Sequence, residues 1–132
     1  MHVDGHCYCG KIAFEAEADP ATVTVCHCTD CQELTGSAYR IVIAARDLKI
    51  LKGAPKVWIK TAESGRQRAH AFCPDCGSPI YSGPPDGNLE SVSLRTGTLA
   101  QRRELPPKKQ IWCRSALPWA LDLTHVEPHE KQ

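Results

Sequence analysis

The sequence predicts a mainly β fold with little helix, and three observations carry that expectation. Residues 11–18 alternate, with Ile12, Phe14, Ala16 and Ala18 on one face and Lys11, Glu15 and Glu17 on the other, which is the period of a half-buried strand. Turn-forming residues recur at roughly 8–20-residue spacing, at Gly53-Ala54-Pro55, Ser64-Gly65, Gly83-Pro84-Pro85-Asp86-Gly87 and Pro106-Pro107, the rhythm of antiparallel strands joined by loops. Only one short stretch carries both a helix start and a helix stop.

Taken in order, residues 11–18 form the first strand, which Asp19-Pro20 ends. Residues 29–35 make the single helical turn, with Thr29 or Asp30 as N-cap and Gly36 placed to stop it. Further strands are expected over 38–44, 48–51, 56–61, 67–72, 89–95 and 110–114, many of them rich in Ile, Val or aromatic residues. From Glu127 the chain is polar and reads as a frayed tail over 127–132. No internal repeat is present, so residues 1–132 are expected to form a single domain.

Composition narrows the function classes. The 132 residues are 42% hydrophobic, 23% charged and 6% aromatic, with 16 Lys+Arg against 15 Asp+Glu. A chain of this size can bury roughly two thirds of its unfolded surface, enough for a core without disulfide staples. The near-neutral balance, with a pI of about 7.6, lacks the basic stripe of a nucleic-acid binder. The longest apolar run, Ile41 to Ala45, is far short of the ~20 residues that span a bilayer. Residues 1–10 carry no signal-peptide core. A cytoplasmic protein with no nucleic-acid or membrane partner is expected.

Eight cysteines, about 6% of the chain, fall below the ~8–10% of small secreted disulfide scaffolds. Their spacing points to metal instead: Cys7-x-Cys9, Cys26-x-Cys28-x-x-Cys31, Cys73-x-x-Cys76, and Cys113 alone. A structural zinc site closes with four ligands, whereas a catalytic one commonly keeps three and leaves a position open. The two outer pairs each end in glycine, which lets the backbone turn tightly and aim N–H groups at the sulfurs. Cys7, Cys9, Cys73 and Cys76 are therefore assigned to one tetrahedral zinc that staples the N-terminal segment to the later pair. The bland alternative is a set of ordinary buried free thiols. Thiolate donors suit zinc, and an iron–sulfur cluster uses the same donors.

Cys26, Cys28 and Cys31 make a local triad. Three thiolates on one Zn²⁺ give a net −1 centre, a weaker Lewis acid than a three-histidine site but one whose open position suits a thiol. The competing reading closes this site with Cys113 or a histidine. His27, between two ligands, is expected to turn away from the metal.

The order CxC, CHCxxC, FCxxCGSP and a late IW…S…PW segment resembles the glutathione-dependent formaldehyde-activating enzymes, whose domain also occurs in centromere protein V. The resemblance runs from Gly5 to about Trp119. It implies a β-tent of small coiled antiparallel sheets, a structural zinc on Cys7, Cys9, Cys73 and Cys76, and a catalytic zinc on Cys26, Cys28 and Cys31. It also implies glutathione and formaldehyde as thiol and aldehyde. Two positions depart from the family pattern: Gln32-Glu33 stand where basic residues often follow the triad, and Gln110 stands where the late motif often has His.

Other residues are weighed beside these. Trp112 and Trp119 could line a substrate pocket, with packing against the core as the expected role. Cys113 is expected to be small and buried, and His70 to face solvent. Arg102-Arg103 and Lys108-Lys109 could meet the carboxylates of a peptide thiol, with solvated charge as the simpler account. Thr29, Asp30, Thr35 and Ser37 are candidates to hydrogen-bond the triad sulfurs. The leading function is a zinc-dependent carbon–sulfur lyase that adds a thiol to an aldehyde or reverses that addition. The alternative is a non-catalytic zinc module for a protein partner.

Overall fold

The computed structural model describes residues 1–132 and is built mainly of antiparallel strands. They are β1 (His2–His6), β2 (Ala13–Ala18), β3 (Thr24–Cys26), β4 (Arg40–Lys52), β5 (Lys56–Thr61), β6 (Gln67–Phe72), β7 (Pro79–Gly83), β8 (Ser91–Arg95) and β9 (Lys109–Ile111). The helix α1 (Thr29–Thr35) lies between β3 and β4. No helix is long and apolar enough to cross a membrane.

The strands run in the order β1-β2-β4-β8-β7-β6-β5, with β3 also paired to β4 and β9 paired to β3. β4 organises the whole. One edge pairs with β3 near its start, Cys26 opposite Arg40, and with β2 near its end, Ala13 opposite Lys52. The other edge pairs with β8, Val42 opposite Arg95. Between these segments Asp47 takes a left-handed backbone conformation, φ 54°, and the β2–β4 register shifts, so the strand carries a bulge. The bulge breaks the two-residue alternation there, which is why the sequence suggested two strands, 38–44 and 48–51, where one exists.

The buried face of β2 is the one its alternation predicts: Phe14, Ala16 and Ala18 are buried, and Glu15 and Glu17 are not. With Val3, Ile12, Val23, Ile43, Leu48, Ile80, Leu94, Leu99 and Leu105 they form the core, which also takes in Cys7 and Cys73. β1, β3 and β7 were not expected. β1 offers Val3 as its only large apolar residue, β3 has three residues, and β7 opens on a proline and closes on Gly83-Pro84, so none gives a periodic signal.

Candidate metal centre

Both cysteine groups sit at strand ends. Cys7 follows β1 directly and Cys73 follows β6. Each then enters a tight turn closed by a backbone bond: Gly10 N–H donates to Cys7 O at 3.0 Å, and Gly77 N–H to Cys73 O at 2.8 Å. Gly10 and Gly77 have φ of 77° and 78°, left-handed values that side chains with a Cβ resist. The two turns thus fold each cysteine pair inward, and the four Sγ atoms lie within 4.8 Å of one another.

The Sγ–Sγ spacings are 3.5 Å for Cys7–Cys9 and 3.8 Å for Cys9–Cys73. A tetrahedral zinc with Zn–S of about 2.3 Å holds its sulfurs about 3.8 Å apart, so this donor set fits such an ion. Donors already point at the sulfurs. Ile12 N–H reaches Cys7 Sγ at 3.3 Å. Tyr8 N–H donates to Ser78 Oγ at 2.9 Å, which leaves the Ser78 hydroxyl proton for Cys76 Sγ at 3.2 Å. That hydroxyl is the main cause holding the Cys76 thiol down at about 5.

The triad is assembled from three different local positions. Cys26 ends β3, Cys28 is the N-cap of α1, and Cys31 lies in its first turn. Cys28 takes the role expected of Thr29 or Asp30, because its sulfur accepts the Cys31 N–H at 3.2 Å. Sγ–Sγ spacings are 2.9 Å for Cys28–Cys31 and 3.3 Å for Cys31–Cys26, tighter than the outer set. Burial pushes the Cys31 thiol up. Burial opposes charge on Cys28 too, but the Cys31 thiol and N–H, then Cys26 and the Arg40 guanidinium, outweigh it and hold Cys28 below its ordinary value. Of these two thiols Cys28 is therefore the more readily ionised.

The triad opens on a cavity of about 320 Å³. Its walls carry Arg40, Lys60, Arg66 and Arg68 against one carboxylate, Asp30, which pairs with Lys60. Strand pairing explains the gathering: Arg40 is opposite Cys26, and Lys60 is opposite Arg68. Trp112 and Ile111 also line it. Sequence reasoning missed these cations, although Arg66 and Arg68 at two-residue spacing were a readable sign of positive charge on one face.

The profile of the glutathione-dependent formaldehyde-activating enzyme family matches residues 2–115. The chain belongs to this family. A crystal structure of a Rhodobacter sphaeroides protein is similar in fold, with a TM-score of 0.61 and 24% identity over 81% of this chain and 98% of that one. No curated protein matches by sequence.

Several residues of this family member stand elsewhere than the sequence suggested. Cys113 is exposed on a 3-10 turn, Cys113–Ser115, and does not join the converging sulfurs. Trp112 and Trp119 are 52% and 61% exposed rather than packed. Trp112 has φ 57° and carries the Arg114 guanidinium over its ring at 5.2 Å, at the edge of the triad cavity. His70 is buried, not solvent-facing. Arg102, Arg103, Lys108 and Lys109 do not line the cavity.

None of the four polar residues near the triad bonds a sulfur. Thr35 Oγ1 donates to Cys31 O at 2.7 Å and accepts from Ser37 N–H, while Asp30 pairs with Lys60. The two departures from the family pattern meet around His27. Its Nε2 lies 2.8 Å from Gln110 Oε1, and Gln32 Nε2 donates to the carbonyls of His27 and Ser115. Gln32 thus ties the triad segment to the late segment rather than contacting an anion.

Proposed function

We propose that this chain is a zinc-dependent carbon–sulfur lyase that adds a thiol to an aldehyde, or reverses that addition, with glutathione and formaldehyde as the family's pair. In this reading Cys26, Cys28 and Cys31 hold a catalytic zinc, Cys7, Cys9, Cys73 and Cys76 hold a structural one, and residues 1–132 work as one domain. The observation that carries it is a three-sulfur cluster opening on a cavity walled by cations. Zinc bound there would lower the pKa of an incoming thiol and keep it as thiolate at neutral pH.

The chain's own residues supply the rest. Arg40 lies beside Cys28 and favours its thiolate. Arg95 is buried, which holds its guanidinium down at about 10, and the Arg40 charge adds to the fall. Arg40, Arg66 and Arg68 can meet carboxylates of an acidic thiol through charge-assisted hydrogen bonds; the Arg40 Nε is buried without a partner. Binding in this cavity brings thiol and aldehyde together and saves the entropy of their encounter. We place the reaction in the cytoplasm, where thiols stay reduced, in keeping with eight free cysteines.

The test is thiol-dependent consumption of free formaldehyde by the zinc-loaded protein. A rate proportional to protein concentration, lost in Cys28→Ser, supports the proposal. A wild-type rate equal to the uncatalysed one contradicts it.

A further inference from the structure

His70 belongs to neither cysteine cluster. It lies on β6, opposite Trp58 of β5 and Ser82 of β7, and is 9% exposed. Its Nδ1 sits 3.3 Å from Arg95 Nη2. A guanidinium only donates, so Nδ1 is the acceptor and carries no proton. The single proton of the uncharged ring is then on Nε2, for which the protein provides no hydrogen-bond partner. The ring borders two cavities, the one at the triad and a second of about 410 Å³ that also holds Leu34, Trp58, Phe72 and Pro79.

Arg95 faces the ring on its Nδ1 side. It is 6% exposed, and its Nε and Nη1 are buried without partners, so its one side-chain bond is the one to His70. Trp58 flanks the imidazole, with ring centroids 6.0 Å apart. Burial, with Arg95 on β8, Arg40 on β4, Lys60 on β5 and Arg68 on β6, holds the His70 pKa at about 4. The ring is thus uncharged at neutral pH and carries one proton, on Nε2.

Building on the lyase reading above, we propose that His70 is a catalytic residue whose Nε2–H donates a hydrogen bond to the aldehyde oxygen, and that Arg95 is the positioning residue that fixes its tautomer. As the thiolate sulfur gives its electron pair to the carbonyl carbon, the carbon–sulfur bond forms and the C=O π pair moves to oxygen. That oxygen gains negative charge and accepts the Nε2–H bond. The thiol proton, released to solvent on binding, is replaced by a solvent proton on the alkoxide. His70 keeps its own proton, and nothing is oxidised or reduced. In the reverse direction the same bond supports the alkoxide that expels the thiolate.

Three variants and one spectrum test this. His70→Phe keeps the ring volume and removes the donor; His70→Gln keeps an amide N–H. Removing one preorganised donor to an oxyanion costs about 10²–10³-fold in kcat. With glutathione and formaldehyde, H70F is expected to lose about 100-fold in kcat with KM for the thiol little changed, and H70Q to recover at least tenfold of that loss. Equal losses in both variants, or an unimpaired H70F, overturn the proposal. Ring ¹⁵N shifts of the zinc-loaded wild type, without substrate, are expected to show protonated Nε2 and bare Nδ1 from pH 7.5 to 5.5, with the tautomers mixed in Arg95→Met. A protonated Nδ1 in the wild type overturns the proposal even if the variants fail to fold. A wild type without thiol-dependent aldehyde consumption defeats the lyase reading and this role together, whereas a working wild type with an unimpaired H70F defeats this role alone.

Discussion

Cys7, Cys9, Cys73 and Cys76 face one another across two glycine turns, while Cys26, Cys28 and Cys31 face a cavity. The outer four join segments about 65 residues apart in sequence, and Cys7 and Cys73 are part of the hydrophobic core. Their polar neighbours are short-range donors: backbone N–H groups and the Ser78 hydroxyl. The triad spans six residues at a strand end and a helix cap, and its neighbours are long cationic side chains from β4, β5 and β6. One donor atom type thus serves two ends. Where four sulfurs close among short donors a bound metal would staple the fold, and where three sulfurs stop at a charged cavity a ligand would have room.

Cys73→Ser carries the largest expected effect. It removes a fully buried cysteine of the outer cluster, and apparent folding energies of structural zinc in small peptides reach about 10–16 kcal/mol. Loss of cooperative melting by circular dichroism is expected; an unchanged melting temperature would mean the outer cluster is no staple. Cys28→Ser should act differently. Serine is itself a good N-cap, so α1 keeps its start while the triad loses a thiolate. The expected result is one metal per chain instead of two, no thiol-dependent aldehyde consumption, and a melting temperature within a few degrees of wild type.

Arg68→Met probes the cavity wall. Hydrogen bonds to charged groups are worth about 1.5–3 kcal/mol, so KM should rise about 10–100-fold for glutathione and hardly at all for 2-mercaptoethanol. An equal rise for both thiols would remove the carboxylate role. Ser78→Ala addresses the outer site, where loss of the hydroxyl bond raises the Cys76 thiol. The hold of Cys76 on metal is present above its ordinary thiol range and is lost as pH falls through about 5. Acid release of the outer metal should therefore begin at higher pH in the variant, with affinity lower by about 10-fold. Chelator competition across pH measures both.

His70 adds a smaller pH effect with a defined sign. Its pKa falls from 6.5 in the free side chain to about 4 in the fold, so the unfolded chain takes up a proton in that interval and the folded one does not. Wild type should lose stability relative to His70→Gln as pH drops from about 6.5 to about 4, and parallel stability curves would contradict the buried, uncharged ring.

The division of the cysteines was legible because metal ligation needs donors at short fixed spacings, and CxC, CxxC and CHCxxC are local. α1 was legible for the same reason, with its stop at Gly36 matching a left-handed C-cap. The cationic wall and the His70–Arg95 pair were not, since both depend on strands brought together by pairing. Arg40 meets the triad through its register with Cys26, and Arg95 meets His70 from a strand 25 residues away. Trp112 and Trp119 misled because aromatic residues usually pack, whereas these lie after β9 where no element covers them.

The most direct test of the contrast between a closed cluster and an open one uses cobalt at the triad with zinc kept in the outer site, reached by mild chelation and reloading. Added glutathione should intensify the sulfur-to-metal charge-transfer band saturably, and Cys113→Ser should respond in the same way. A spectrum unchanged at millimolar thiol, with metal lost from Cys113→Ser, would mean that Cys113 closes the triad and that no position is left for a substrate thiol.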